Sequence, residues 1–157
     1  MSKVKPEHIS IFKVQVYKSA VDTSIEYLEK PIKPGNFRVG FSQNAAFNLE
    51  LKNVRIRIET ALDGVDVEEK SVGIHGVFGI EFHFHIDNFE DFIEGEDEPK
   101  KINNILLETL LSIAYSTTRG IVIERTQGTH LNGVILPIIA PKELTKGISE
   151  PTAPDKN

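Results

Sequence analysis

"VGIHGVFGIEFHFHI", residues 72–86, alternates without a break. The even positions read Val72, Ile74, Gly76, Phe78, Ile80, Phe82, Phe84 and Ile86. The odd positions carry Gly73, His75, Val77, Gly79, Glu81, His83 and His85. Successive side chains of a strand point to opposite faces, so this period predicts one long antiparallel strand with a dry face and a wet face. The wet face admits a second reading. His83 and His85 lie two apart with His75 on the same side, and a His-x-His pair can chelate zinc, iron or copper with a carboxylate as a further ligand. Period two accounts for every residue without a metal, however, and no other His, Asp or Glu is visibly paired with these. The strand reading is favoured. A metal-dependent enzyme built on His75, His83 and His85 is the rival.

Upstream, the same period recurs in shorter runs. "HISIFKVQVY" (residues 8–17) changes phase between Ile11 and Phe12, which predicts a bulge. Phe37, Val39 and Phe41 share one face of a second run. "FNLELKNVRIRIETAL" (residues 47–62) shifts phase again between Leu51 and Val54. Asp63-Gly64 reads as a two-residue hairpin turn, where both positions need positive φ. Between Tyr17 and Phe37 lies a connection too long for a hairpin. Its residues Val21, Ile25, Tyr27, Leu28 and Ile32 make it too apolar for free coil, so it is expected to cross over and pack.

Downstream, residues 90–100 read as an acidic linker ending in helix-start chemistry. Pro99 suits a first turn, and Glu96, Asp97 and Glu98 suit the positive end of the dipole. Ile102, Ile105, Leu106, Leu110, Ile113 and Ala114 then recur at helical spacing. Gly120 could end the helix, but the pattern runs on to Gly128, a better residue just past a helix end. The longer version, about 40 Å at 1.5 Å per residue, is favoured. "HLNGVILPIIAP" (residues 130–141) is apolar but broken by Pro137 and Pro141, so an extended packed segment is expected. The organisation is then a flexible N-terminus (1–7), a single domain (8–145) and a disordered tail (146–157).

Composition narrows the function. With 157 residues the chain suits one domain that buries roughly 70% of its unfolded surface. It has no cysteine, which excludes disulfides and thiolate metal sites. No signal peptide and no run of about 18 apolar residues is seen, so membrane insertion is not expected and the default compartment is cytoplasmic. Net charge is −5 and basic residues are scattered, against a nucleic-acid partner. There is no nucleophile elbow and no phosphate loop. Ser112, Ser116, Thr117 and Thr118 fall in the helix, where hydroxyls commonly bond to the carbonyl four residues back. Gly76 falls on the dry face, where it would let a helix approach closely. No catalytic residue, metal or cofactor is therefore assigned, and the chain is not expected to be an enzyme.

Apolar surface is in excess. The helix also carries Leu107, Leu111, Tyr115, Ile121 and Ile123, so it is apolar on more than one side, and one sheet covers only one of them. Leu107, Leu111, Tyr115 and Ile121 are the expected oligomer interface.

In this order the pieces resemble the SecB export-chaperone family, from about residue 8 to 144. "VQVYKSAVDTSIEYLEKP" resembles its first strand and apolar crossover loop, "VRIRIETALDG" its third strand, and "KSVGIHGVFGIEF" its Gly-rich fourth strand. "NILLETLLSIAYSTTRGIVIERTQGTHLNGVILPIIAPKEL" resembles its long helix and the Pro-containing segment after it. The implied fold is α+β, SecB-like: a four-stranded antiparallel sheet, an apolar crossover loop and one long helix packed on one face. The implied function is a non-enzymatic holdase, a homotetramer built as a dimer of dimers, that keeps unfolded polypeptide clients in apolar grooves. Ile25, Tyr27, Leu28, Phe37 and Phe41 are the implied client-binding residues. Protein export with a translocation motor, or guarding a toxin–antitoxin client, are the roles the family implies. The chain departs from the family after Pro141, where "PKELTKGISEPTAPDKN" is too short and broken for its second helix and lacks its basic tail. A dedicated interaction subunit without general holding activity is a further alternative.

Overall fold

The computed structural model describes residues 3–148. The part of the expected tail from residue 149 onward, and residues 1 and 2, lie outside the described residues. A four-stranded antiparallel sheet holds β1 (Ile9–Thr23), β2 (Asn36–Asn48), β3 (Asn53–Val65) and β4 (Ser71–Ile86) in the order β1-β4-β3-β2. The short helix α1 (Ile25–Glu29) lies in the connection from β1 to β2. After β4 come the two-residue strands β5 (Ile93–Glu94) and β6 (Lys101–Ile102), then helix α2 (Asn104–Thr126) and the single turn α3 (Pro141–Thr145). The fold is the α+β arrangement expected.

The decisive stretch is an inner strand, paired on both edges. Its even residues Ile74, Phe78, Ile80, Phe82, Phe84 and Ile86 are buried, as are Val54, Ile56, Ile58 and Leu62 of β3 beside them. Helix α2 lies on this face with Leu106, Leu110 and Ala114 fully buried. At about 25 cal/mol per Å² of apolar surface, this contact is the main source of stability. Gly76 sits where expected, on the dry face. A Cβ there would press on Leu131, just past the helix, rather than on the helix itself.

Three local expectations are corrected. Strand β1 continues through Thr23 instead of ending near Tyr17, so the crossover is confined to residues 24–35. A bulge does separate Ile11 from Lys13, and a second between Val16 and Lys18 hides the alternation beyond Tyr17. Asp63-Gly64 is not the hairpin turn; both lie within β3, with a register shift between Asp63 and Val65. The reversal falls at Asp66–Lys70, where the Asp66 Oδ1 accepts from the Glu68 and Lys70 amides and Glu69 takes φ 60°. The phase shift near Leu51 is likewise a reversal. Asn48 Oδ1 accepts from the Leu51 amide, and Lys52 takes φ 54°.

Helix α2 starts later than expected. Asn103 is its cap, with Oδ1 accepting from the Ile105 amide at 2.9 Å, and no acidic residue lies in its first turn. Residues 89–102 instead bury Phe89 and Phe92 and close into the β5–β6 hairpin, which leaves Pro99 outside the helix. The longer ending was right: Gln127 caps the helix and Gly128 follows with φ 74°, a left-handed conformation glycine adopts without strain. Ser112, Thr117 and Thr118 bond to carbonyls four residues back, as expected for hydroxyls in a helix.

The second apolar side of α2 is covered in part, with Ile123 still 41% exposed. The extended segment after it folds back and buries Leu131, Val134, Leu136 and Leu144, with α3 packed on α2. Tyr115 Oη donates to the Pro137 carbonyl at 2.7 Å and Arg119 Nε to the Leu136 carbonyl at 3.0 Å. Leu107, Leu111 and Tyr115 are therefore only 8%, 0% and 3% exposed within the single chain, and Ile121 is half-buried. The cover expected from another subunit is supplied by the chain itself. Among the described residues, no helix is long and apolar enough to cross a membrane. Tyr115→Phe removes the Pro137 hydrogen bond while keeping the ring, and is expected to cost about 1 kcal/mol by urea unfolding. A variant as stable as the parent would show that the bond adds nothing to the segment's hold.

Candidate functional site

The crossover is anchored at its start by backbone chemistry. The Ser24 amide donates to the Gly73 carbonyl at 2.7 Å, and the Ser24 hydroxyl accepts from the Tyr27 amide at 3.2 Å to cap α1. Gly73 has φ 94°, and a Cβ there would fall on the Ser24 hydroxyl. Only glycine fits at this junction. Tyr27 then turns inward, its ring meeting His130 edge-on at 5.2 Å, while Thr23 Oγ1 lies 3.0 Å from His130 Nδ1. With Tyr27 holding one side of α1, Ile25 and Leu28 are left 72% and 57% exposed.

The expected client-binding residues thus fall into two groups. Ile25, Tyr27 and Leu28 sit on α1. Phe37 and Phe41 sit on the dry face of β2, where register places them opposite Gly64 and Thr60. Phe37 is half-buried and lies at the sheet end where the crossover joins β2. Phe41 is more exposed and tilts against Tyr115 with ring centroids 5.9 Å apart. Ile32, named above only as part of the apolar crossover, is also exposed, as are Ile135 and Ile138, which sequence reading passed over. The prolines next to or near them were the available signal, since an apolar residue held in extended chain cannot be turned inward by a helical period.

The edge strand β1 is the other apolar surface. Its two bulges put exposed side chains on both faces, Ile11 and Val14 on the dry side and Phe12 and Tyr17 outward. Between its dry side and α2 lies a cavity of about 310 Å³ lined by Val4, Pro6, Ile9, Ile11, Thr109 and Ile113.

The outward histidines are each engaged separately. His83 Nε2 lies 2.6 Å from Glu81 Oε1, His85 Nδ1 2.9 Å from Asn53 Oδ1, and His75 Nδ1 3.0 Å from Asp63 Oδ1. Among the described residues, no group of three His, Cys, Asp or Glu side chains is gathered that could hold a metal ion. Glu81 also accepts from Arg57 Nε at 2.6 Å. Burial pushes the Glu81 carboxyl up, but its bonds from Arg57 and His83 outweigh this and hold it below the usual range. Glu59 is held low by the Tyr17 hydroxyl, which donates at 2.8 Å, and by Lys18. Burial and the same hydrogen bond push Tyr17 up to about 12.

No protein-family model matches the chain, and no curated protein sequence matches it. Among solved structures, the chain is similar to a SecB-like chaperone of Mycobacterium tuberculosis in complex with a ChAD peptide from the HigA1 antitoxin. The likeness has a TM-score of 0.57 at 12% identity and covers 85% of this chain and 91% of that one. The fold is accordingly SecB-like. A protein of unknown function from Streptococcus agalactiae aligns over 83% of this chain and 97% of its own at 21% identity, with a TM-score of 0.31.

Because Glu59 and Glu81 titrate low in the folded chain, their stabilisation is complete above the unfolded value of about 4.3 and is lost as pH falls through the lower folded values. The melting temperature is expected to decline below about pH 5, and less steeply in Glu81→Gln. Parallel profiles for the two proteins would show that Glu81 does not contribute.

Proposed function

We propose that the chain is a non-enzymatic holdase that keeps unfolded or non-native polypeptides from aggregating. The observation that carries this is the outward pair Ile25 and Leu28, on a crossover whose inner side is fastened to the sheet by Ser24, Gly73 and Tyr27. A fixed apolar surface of this kind can bury client side chains without reading sequence, at about 25 cal/mol per Å². Tyr27, Phe37 and Phe41 extend it, Tyr27 and Phe37 from half-buried positions. The SecB-like fold supports the reading, since a protein sharing that fold holds an antitoxin peptide. General clients would suit a role in export; a single antitoxin-like client would suit a dedicated guard.

The chain works as a homo-oligomer in this proposal, and β1 is the contact. A sheet edge of 15 residues offers unpaired backbone groups, and this one is apolar on both faces, which an isolated monomer leaves prone to association. That replaces the α2 interface, three of whose four residues, Leu107, Leu111 and Tyr115, the chain covers itself.

Light scattering of an unrelated, chemically unfolded client titrated with the protein tests the holdase. Suppression near one oligomer per client is expected. Ile25→Asp with Leu28→Asp, both on exposed side chains, should raise the amount needed at least tenfold while leaving the melting temperature within a few degrees. No suppression by an intact parent oligomer would make the chain a dedicated-partner subunit instead. Val14→Lys should shift the mass toward the monomer, and an unaltered mass would place the contact elsewhere.

A further inference from the structure

Strand register assembles on the outer face of the sheet a feature that no window of the sequence contains. Lys13 of β1 stands opposite His83 of β4, and His83 stands opposite Arg55 of β3. Residues so placed have Cβ atoms about 5 Å apart, so Lys13 and Arg55 stand on either side of one imidazole. The neighbouring carboxylate does not pair with them, because Glu81 is taken up by Arg57 and His83. Among the described residues, neither Lys13 nor Arg55 has an ion-pair partner, and the Arg55 Nε is buried without a hydrogen-bond acceptor. The two terminal nitrogens of that guanidinium are neither bonded nor buried, and these, not Nε, are what an arriving acceptor would meet.

We propose that this row is a docking site for an acidic segment of a partner polypeptide. The two terminal nitrogens of Arg55 suit a carboxylate end-on, and Lys13 supplies a second, mobile cation across His83. Phe12, whose ring centroid lies 5.6 Å from that of His83, offers the segment an apolar contact at the edge of the row. Beside the row lies an open depression of about 470 Å³ lined by Gln15, Tyr17, Arg57, Glu59 and Glu81. The row holds only two cations and Glu59 and Glu81 flank it, so it suits one or two carboxylates and not the continuous charge of a polyphosphate chain. It lies on the sheet face opposite α2, and pairing at the β1 edge uses backbone groups, so the row stays accessible in an oligomer. Clients and this partner occupy different faces.

Fluorescence anisotropy tests it with a labelled ten-residue peptide carrying four glutamates, a matched lysine peptide and an oligothymidylate of equal charge to the acidic one. The acidic peptide is expected to bind the full chain, to weaken as salt rises, and to lose about tenfold in affinity with Arg55→Gln. Lys13→Gln, on an exposed side chain, is expected to lose severalfold and covers the case in which Arg55→Gln does not fold. Suppression of client aggregation should be unchanged in both variants, which separates this site from the holdase reading. No binding of the acidic peptide, equal binding by parent and variants, or tighter binding of the oligothymidylate would overturn the proposal.

Discussion

Every major element answers to the need to cover the even-numbered row of β4. That row is apolar from Ile74 to Ile86 except at Gly76, and it lies on an inner strand, so both its neighbours must also turn apolar side chains the same way. A layer long enough to span it must be a helix of several turns, and α2 is about 35 Å long at 1.5 Å per residue. A helix this apolar needs cover on its far side too. The segment from Leu131 to Leu144 provides it, with Tyr115 and Arg119 satisfying carbonyls that its prolines leave without regular partners.

The sheet separates two kinds of surface. On the covered face, apolar residues beyond the reach of α2 remain exposed near the crossover. The outer face instead carries bonded polar groups, Tyr17 with Glu59 and Arg57 and His83 with Glu81, and in one row the cations Lys13 and Arg55 without an ion-pair partner among the described residues. Exposed apolar area on one side and directional polar groups on the other recognise different chemistry. The first is indifferent to sequence, the second is not.

How much of this was legible depended on whether the signal was local. The alternation of residues 72–86 and the helical spacing that follows are local; the strand forms where the sequence puts it, and the helix ends where expected but starts only at Asn104. The bulge after Ile11 was readable because apolar residues resume at once in the other phase. The bulge at Tyr17 was not, since "KSAVDT" (residues 18–23) after it gives little contrast between the faces, and β1 was cut short. Asp63-Gly64 misled because a glycine in a strand can mark a bulge as well as a turn. That Leu107, Leu111 and Tyr115 need cover was legible in the helix, but not that the chain supplies it: the cover involves an extended segment with no periodicity to announce which way it faces. The same limit hid the row of Lys13, His83 and Arg55, whose members meet only when three strands are in register.

The place of β1 in the ladder has a consequence for how the chain reaches its fold. Strands β2, β3 and β4 are joined by short reversals, so their pairings close small loops and can form early. β1 is made first but pairs only with β4, Ile9 finding Ile86 across most of the sheet-forming sequence. Closing so long a loop carries an entropic cost the meander does not bear, and the pairing contributes to a slow, high-contact-order step. The strand richest in exposed apolar side chains is thus the last to find its partner in the chain. Until it does, it has the same exposed character as the polypeptides this protein is proposed to hold.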